Sequence, residues 1–217
     1  MIVRACPPRF EQATLPVFCY IDPISTTDHC QRMPRYNNIA ILLHWFIALL
    51  IISAFILGVT MVNIPGITPT KLKYFSWHKW VGVTVLTLAC LRLLWRLFHQ
   101  APPYPDSMPA WQKKAANSLH GLLYVLMFAV PLSGYFFTLA LGVPVVYLGI
   151  IPLPVLIEPN PAIKESLRLL HFSLNLTLFI CICLHVLAAL KHHFIDRDDV
   201  MKRMLPTISS SAKKDFS

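Results

Sequence analysis

Four histidines, His44, His78, His171 and His185, fall inside or at the edges of long apolar runs. An ionisable side chain in such a setting is costly to keep and is usually functional. His171 and His185 share one run and lie fourteen residues apart. On a helix that step stops about 40° short of four full turns, so both rings leave the same face, and at about 1.5 Å per residue they stand about 21 Å apart along the axis. One ring therefore lies near each surface of a hydrocarbon core about 30 Å thick. An imidazole at each level can serve as an axial ligand to iron, so this single helix offers one ligand to each of two stacked haems. Bis-histidine ligation then needs a second imidazole at each depth on another helix. His44, near the start of the first run, is level with His185, and His78, which opens the second, is level with His171. The expected pairs are His44 with His185 and His78 with His171. Any one of these histidines alone is equally well read as a core residue hydrogen-bonded between helices; four at two matching depths favour ligation.

Other residues near those depths have readings of their own. His120 opens the third run at the depth of His44 and competes with it as a ligand; it could instead line a quinone pocket, bond a propionate or face headgroups. Arg92 follows His78 by fourteen residues, so it shares the histidine-bearing stripe at the level of His44, and Arg96 follows one turn later. A guanidinium there can fork onto a carboxylate such as a haem propionate, although snorkelling toward the interface explains Arg96 equally well. Gly82, one turn after His78, and Gly58, fourteen after His44, leave room for a flat macrocycle or for close helix packing.

The elements that position these residues are legible in the composition. Hydrophobic residues make up 56% of the 217, charged ones only 13%, and the mean hydropathy is +0.58. That is too apolar for a soluble core to absorb, so the bilayer is the expected solvent. Apolar stretches at about 39–62, 78–98, 116–141 and 168–190 each reach the roughly 20 residues that cross a membrane. The intervening segments Asn63–Trp77, Gln100–Lys114 and Gly142–Lys164 contain prolines and read as non-helical loops. Of the 19 lysines and arginines, fourteen fall on the side of the chain termini and five (Lys71, Lys73, Lys79, Lys164 and Arg168) on the other, which makes both termini cytoplasmic. The +9 net charge thus describes membrane topology, and nucleic acid is not expected as a partner. The six cysteines show no ligand or disulfide spacing, and no Cys-x-x-Cys-His is present for covalent haem attachment. Residues 1–35 read as a disordered leader, with Met33 as an alternative start, 36–206 as the four-span unit, and 207–217 as a flexible tail. The expected fold is an all-α, four-helix transmembrane bundle holding two b-type haems.

As one ordered set, Ile41-Leu42-Leu43-His44-Trp45, His78-x-x-x-Gly82 with Arg92, His120 with Pro131 and Gly134, and Leu184-His185 followed by Lys191-His192-His193 carry a resemblance. From about Met33 to Pro206 the chain resembles the bacterial cytochrome b561 family, relatives of the cytochrome b subunits of nickel-iron hydrogenases and formate dehydrogenases. The resemblance implies a di-haem cytochrome b of the bacterial inner membrane, with two non-covalent haem b groups ligated by His44, His78, His171 and His185, exchanging electrons with ubiquinone. Some stand-alone members of that family oxidise superoxide, and the resemblance extends that activity to this chain as an expectation. Lys71, Lys73 and Lys79 surround the His78 end, where a positive field would attract a small anion. With bis-histidine ligation no iron site is left open, so the chemistry would be outer-sphere. Ubiquinone is expected near the cytoplasmic-side pair, with His120 and Arg92 as contacts. Two rivals stand beside this reading: an electron-relaying membrane anchor for a soluble redox subunit, and a haem-free transporter using its histidines as a proton relay.

Overall fold

The computed structural model describes residues 17–20, 29–32, 35–105 and 108–206. Asn37 caps α1 (Asn38–Asn63) by accepting from the Ile39 amide, and Thr68 caps α2 (Pro69–Phe98) by accepting from Lys71. The third helix, α3 (Ala110–Ala140), begins after Pro109, and Asn160 caps α4 (Pro161–Lys191) through the Ala162 amide. All four helices are long and apolar enough to cross a membrane. Their outer surfaces carry large exposed apolar side chains such as Leu42, Ile56, Leu97 and Leu187, which only lipid can cover. Polar side chains within the spans return their hydrogen bonds to their own helix: Ser53 to Leu49, Thr60 to Ile56, Thr87 to Val83 and Thr177 to Ser173. Hydrocarbon offers no alternative partner, so this is how such groups remain satisfied in a span. The protein is a four-helix, multi-pass membrane protein.

Three helices begin earlier than hydropathy suggests. Segment Asn63–Trp77 was expected to be non-helical, yet α2 starts at Pro69; Ala110–Lys114 belongs to α3, and Pro161–Lys164 to α4. Pro69 and Pro161 occupy the first helical turn, where the missing amide hydrogen has no helical partner to lose, so proline starts these helices instead of breaking them. Between α3 and α4 the chain forms a small antiparallel hairpin, β3 (Val146–Tyr147) with β4 (Ile151–Pro152). In the N-terminal stretch expected to be disordered, β1 (Val17–Tyr20) pairs with β2 (His29–Arg32). The rest of that stretch, including Met33, and the tail 207–217 lie outside the described residues.

Packing divides the bundle into two helical hairpins, α1 with α2 and α3 with α4, each close within itself; α2 meets α3 more sparsely. Leu126, Leu178 and Cys181 form the buried centre, with Ile51 and Phe55 reaching it from α1. The two described ends of the chain meet at one face: Arg35 donates to the Leu205 carbonyl at 2.5 Å and Trp45 Nε1 to that of Met204 at 2.8 Å. Beyond α4 a single π-helical turn (His192–Asp196) leads into this closing segment, with His192 Nδ1 2.6 Å from an Asp198 carboxylate oxygen.

Candidate functional site

Histidines from the two hairpins face each other at both ends of the bundle. Near the face carrying the α3–α4 loop, the rings of His78 and His171 lie edge to face with centroids 6.3 Å apart. Near the face where the chain ends meet, His44 and His185 lie 6.2 Å apart in the same manner. Both pairs expected from depth are therefore brought together, and each joins one hairpin to the other.

The first pair is held by backbone acceptors. His78 Nδ1 donates to the Ala54 carbonyl of α1 at 3.0 Å. His171 Nδ1 lies 3.1 Å from the Val130 carbonyl and 3.0 Å from Ser133 Oγ, whose own hydrogen is given to Val130. Carbonyl oxygens only accept, so each Nδ1 carries its hydrogen and each Nε2 keeps a free lone pair. That is the arrangement by which a metal-binding imidazole is normally oriented from behind. Gly134 makes the approach of α3 to His171 possible: a Cβ there would lie 2.8 Å from His171 Cε1, and one at Gly58 would lie 3.5 Å from His78 Cε1. A small cavity of about 50 Å³ opens between the hairpins at this level, walled by Ala54, Gly82, Pro131 and Asn175 beside the two histidines.

At the other end three rings gather. His185 faces His44 and also His120, the latter at 5.3 Å. Arg92 reaches the same level, donating through Nη1 to the Ala40 carbonyl at 3.1 Å and through Nε to Tyr124 Oη at 3.1 Å. The Arg96 guanidinium lies over the Tyr124 ring at 5.5 Å. Among the described residues neither arginine meets a carboxylate, so both remain available to an acidic ligand.

The donor set fits haem iron. Two imidazole nitrogens each about 2 Å from one metal place their ring centroids roughly 6 Å apart, which both pairs match. Neutral imidazoles suit haem, and an apolar wall with a few polar groups suits its macrocycle. The sequence-based reading missed Ser133, Tyr124 and the carbonyls of Ala54 and Val130. Backbone acceptors have no sequence signature, and Ser133 is one serine among several in apolar runs.

Comparison with known proteins decides the class. The family described as prokaryotic cytochrome b561 matches residues 35–207. The chain belongs to that family. Cytochrome b561 homolog 2 of Escherichia coli (strain K12) is 34% identical over 177 residues, covering 81% of this chain and 94% of that one. Cytochrome b561 homolog 1 of the same organism is 30% identical, over 80% of this chain and 98% of its own length. A protein of Yersinia pestis named probable superoxide oxidase CybB is 28% identical, over 79% and 96% respectively. As a member of the cytochrome b561 family, the protein is a b-type haem-binding electron carrier of the membrane.

Proposed function

We propose that this cytochrome b561 protein holds two haem b groups, one between His78 and His171 and one between His44 and His185, and carries electrons from a donor on the loop face to ubiquinone near the face of the chain ends. The single observation that carries this reading is the pair of facing imidazoles, at 6.3 and 6.2 Å, at opposite ends of one bundle. A haem held between His78 and His171, or between His44 and His185, would supply one-electron redox chemistry.

The chain's own residues account for the rest. Ala54, Val130 and Ser133 hold two of the ligand rings with Nε2 presented. His44 is the second ligand of His185 because its separation matches that of the other pair, whereas the His120 ring is closer than a shared metal would leave it. Arg92 then neutralises a propionate, and His120 contacts ubiquinone beside it. By the positive-inside distribution, the face of the chain ends is cytoplasmic, and the prokaryotic family and its Escherichia coli relatives support the bacterial inner membrane as the location.

The name of the Yersinia pestis relative supports superoxide as the donor. Two superoxide anions would each lose one electron and leave as dioxygen, and ubiquinone would take up two electrons and two protons. Near the His78 end, the Lys71 ammonium donates to the Ile64 carbonyl and Lys73 lies 4.9 Å from the Trp77 ring centre, so their charges gather at that mouth. A pyridine haemochrome assay on the purified protein gives two haems per chain if the reading holds. Retention of both haems by His171→Ala or His185→Ala overturns the pairing. Wild-type ubiquinone reduction by His120→Ala removes the assigned quinone contact.

A further inference from the structure

The α3–α4 connection has an unusual composition for a loop. From Leu141 to Ile157 it contains no charged residue, and Tyr147 is the one residue whose side chain can form a hydrogen bond. Its hairpin lies against the outside of the bundle. Trp80 Nε1 donates to the Val146 carbonyl at 2.8 Å. Thr84 Oγ1 gives its hydrogen to the Trp80 carbonyl and stands 2.9 Å from Tyr147 Oη, so the tyrosine donates to it. Farther along, the Tyr135 hydroxyl of α3 donates to the Pro154 carbonyl. Trp80 lies two residues beyond His78, so the Val146 backbone is held close to the depth of His78, near the surface of the hydrocarbon core, and Tyr147 reaches inward from there to Thr84.

Its outward side chains are apolar and uncovered. Ile150 at the tip is 80% exposed, and Leu148, Ile151, Val155 and Leu156 are all more than half exposed. Water would make such a surface an association hazard, but it continues the apolar exterior of α2 and α3, which lipid covers. Within the hairpin the backbone suits that medium, and the Val155 and Leu156 amides, which have no acceptor among the described residues, require the ester carbonyls of the acyl–glycerol boundary. Pro144, Pro152 and Pro154 have no amide hydrogen to leave unpaired, the Ile150 amide bonds the Tyr147 carbonyl at 3.1 Å, and the Leu153 amide bonds that of Val145 at 2.9 Å.

We propose that Leu148–Ile151 and Val155–Leu156 insert into the lipid leaflet on the loop face, making the hairpin an interfacial membrane anchor with the acyl–glycerol region of that leaflet as its partner. This inference rests on the membrane-spanning fold and not on the identity of the electron donor. Trp80 and Tyr147, amphipathic rings at the same level, are the residue types that favour this boundary.

Nitroxide labels at Ile150→Cys and Val155→Cys test the insertion in the full-length, haem-loaded protein with its native cysteines replaced, in nanodiscs of three parts phosphatidylethanolamine to one of phosphatidylglycerol. Ile56→Cys on the exposed apolar flank of α1 is the lipid standard, and Glu165→Cys on the exposed start of α4 the water standard. Collisions with dioxygen should exceed those with a nickel chelate by about fivefold at both hairpin sites, as expected for apolar depth. A preference for the nickel chelate, as at position 165, overturns the proposal; low access to both probes, meaning a second copy or another protein covers the hairpin, overturns it equally. Should the cysteine replacements abolish the haem spectrum, hydrogen exchange on the unaltered protein in the same nanodiscs decides. The Val155 and Leu156 amides have no intramolecular acceptor among the described residues, so lipid burial must slow them about tenfold or more relative to an open chain; free exchange refutes insertion.

Discussion

Gly134 determines how closely α3 can approach His171, and a single added methyl group tests that contact. Gly134→Ala would place a Cβ 2.8 Å from Cε1 and 3.1 Å from Nδ1 of a ring already tied through Nδ1 to Val130 and Ser133. The ring must move, and haem content should fall toward half that of the wild type, measured by pyridine haemochrome. Ser133→Ala is milder, because the Val130 carbonyl remains to orient the ring. It should weaken haem retention at that end by about tenfold, the lower range for loss of a supporting hydrogen bond, with a shifted midpoint potential for one haem. At this scale the fourteen-residue step from His171 to His185 was readable because helical geometry converts spacing directly into depth. The supports of those rings were not, because the Ala54 and Val130 carbonyls belong to the backbone and the reach of Ser133 to His171 depends on how two helices pack.

Each helix is legible in proportion to how much of it lies in hydrocarbon. The apolar centres of all four follow from hydropathy, but α2, α3 and α4 extend beyond them into polar and proline-containing sequence. Pro161 illustrates the reason: read as a breaker, it is the first residue after an asparagine cap whose side chain accepts from the Ala162 amide at 3.0 Å. Asn160→Ala should destabilise α4 by about 1 kcal/mol, seen as a lower midpoint for loss of the haem spectrum on heating. Asn160→Asp should retain most of the wild-type value, since the carboxylate accepts the same hydrogen bond. The β3–β4 hairpin was hidden for a different reason: two-residue strands with prolines carry too little alternation to register, and what fixes them is the hold of Trp80 and Thr84 on their backbone and Tyr147.

Across the whole molecule, the α1–α2 and α3–α4 hairpins are in sparse contact, so under the ligation we propose the cofactor is a structural cross-link as well as a carrier. Protein produced in a haem-deficient host should be cut by proteinase K in the α2–α3 connection at least about tenfold faster than loaded protein, because a ligand that bridges both halves stabilises only their closed arrangement. Sidedness is tested by fusions at the C-terminus: green fluorescent protein should fluoresce there and alkaline phosphatase should be inactive, as the basic residues require of a cytoplasmic end. The way the facing rings are shared out bears on biogenesis. His44 and His78 emerge with the first hairpin, His171 and His185 only with the last helix. A chain stalled after α3 therefore has half of each ring pair and can complete neither, so under the proposed ligation secure haem capture marks a chain whose last helix has been synthesised and inserted.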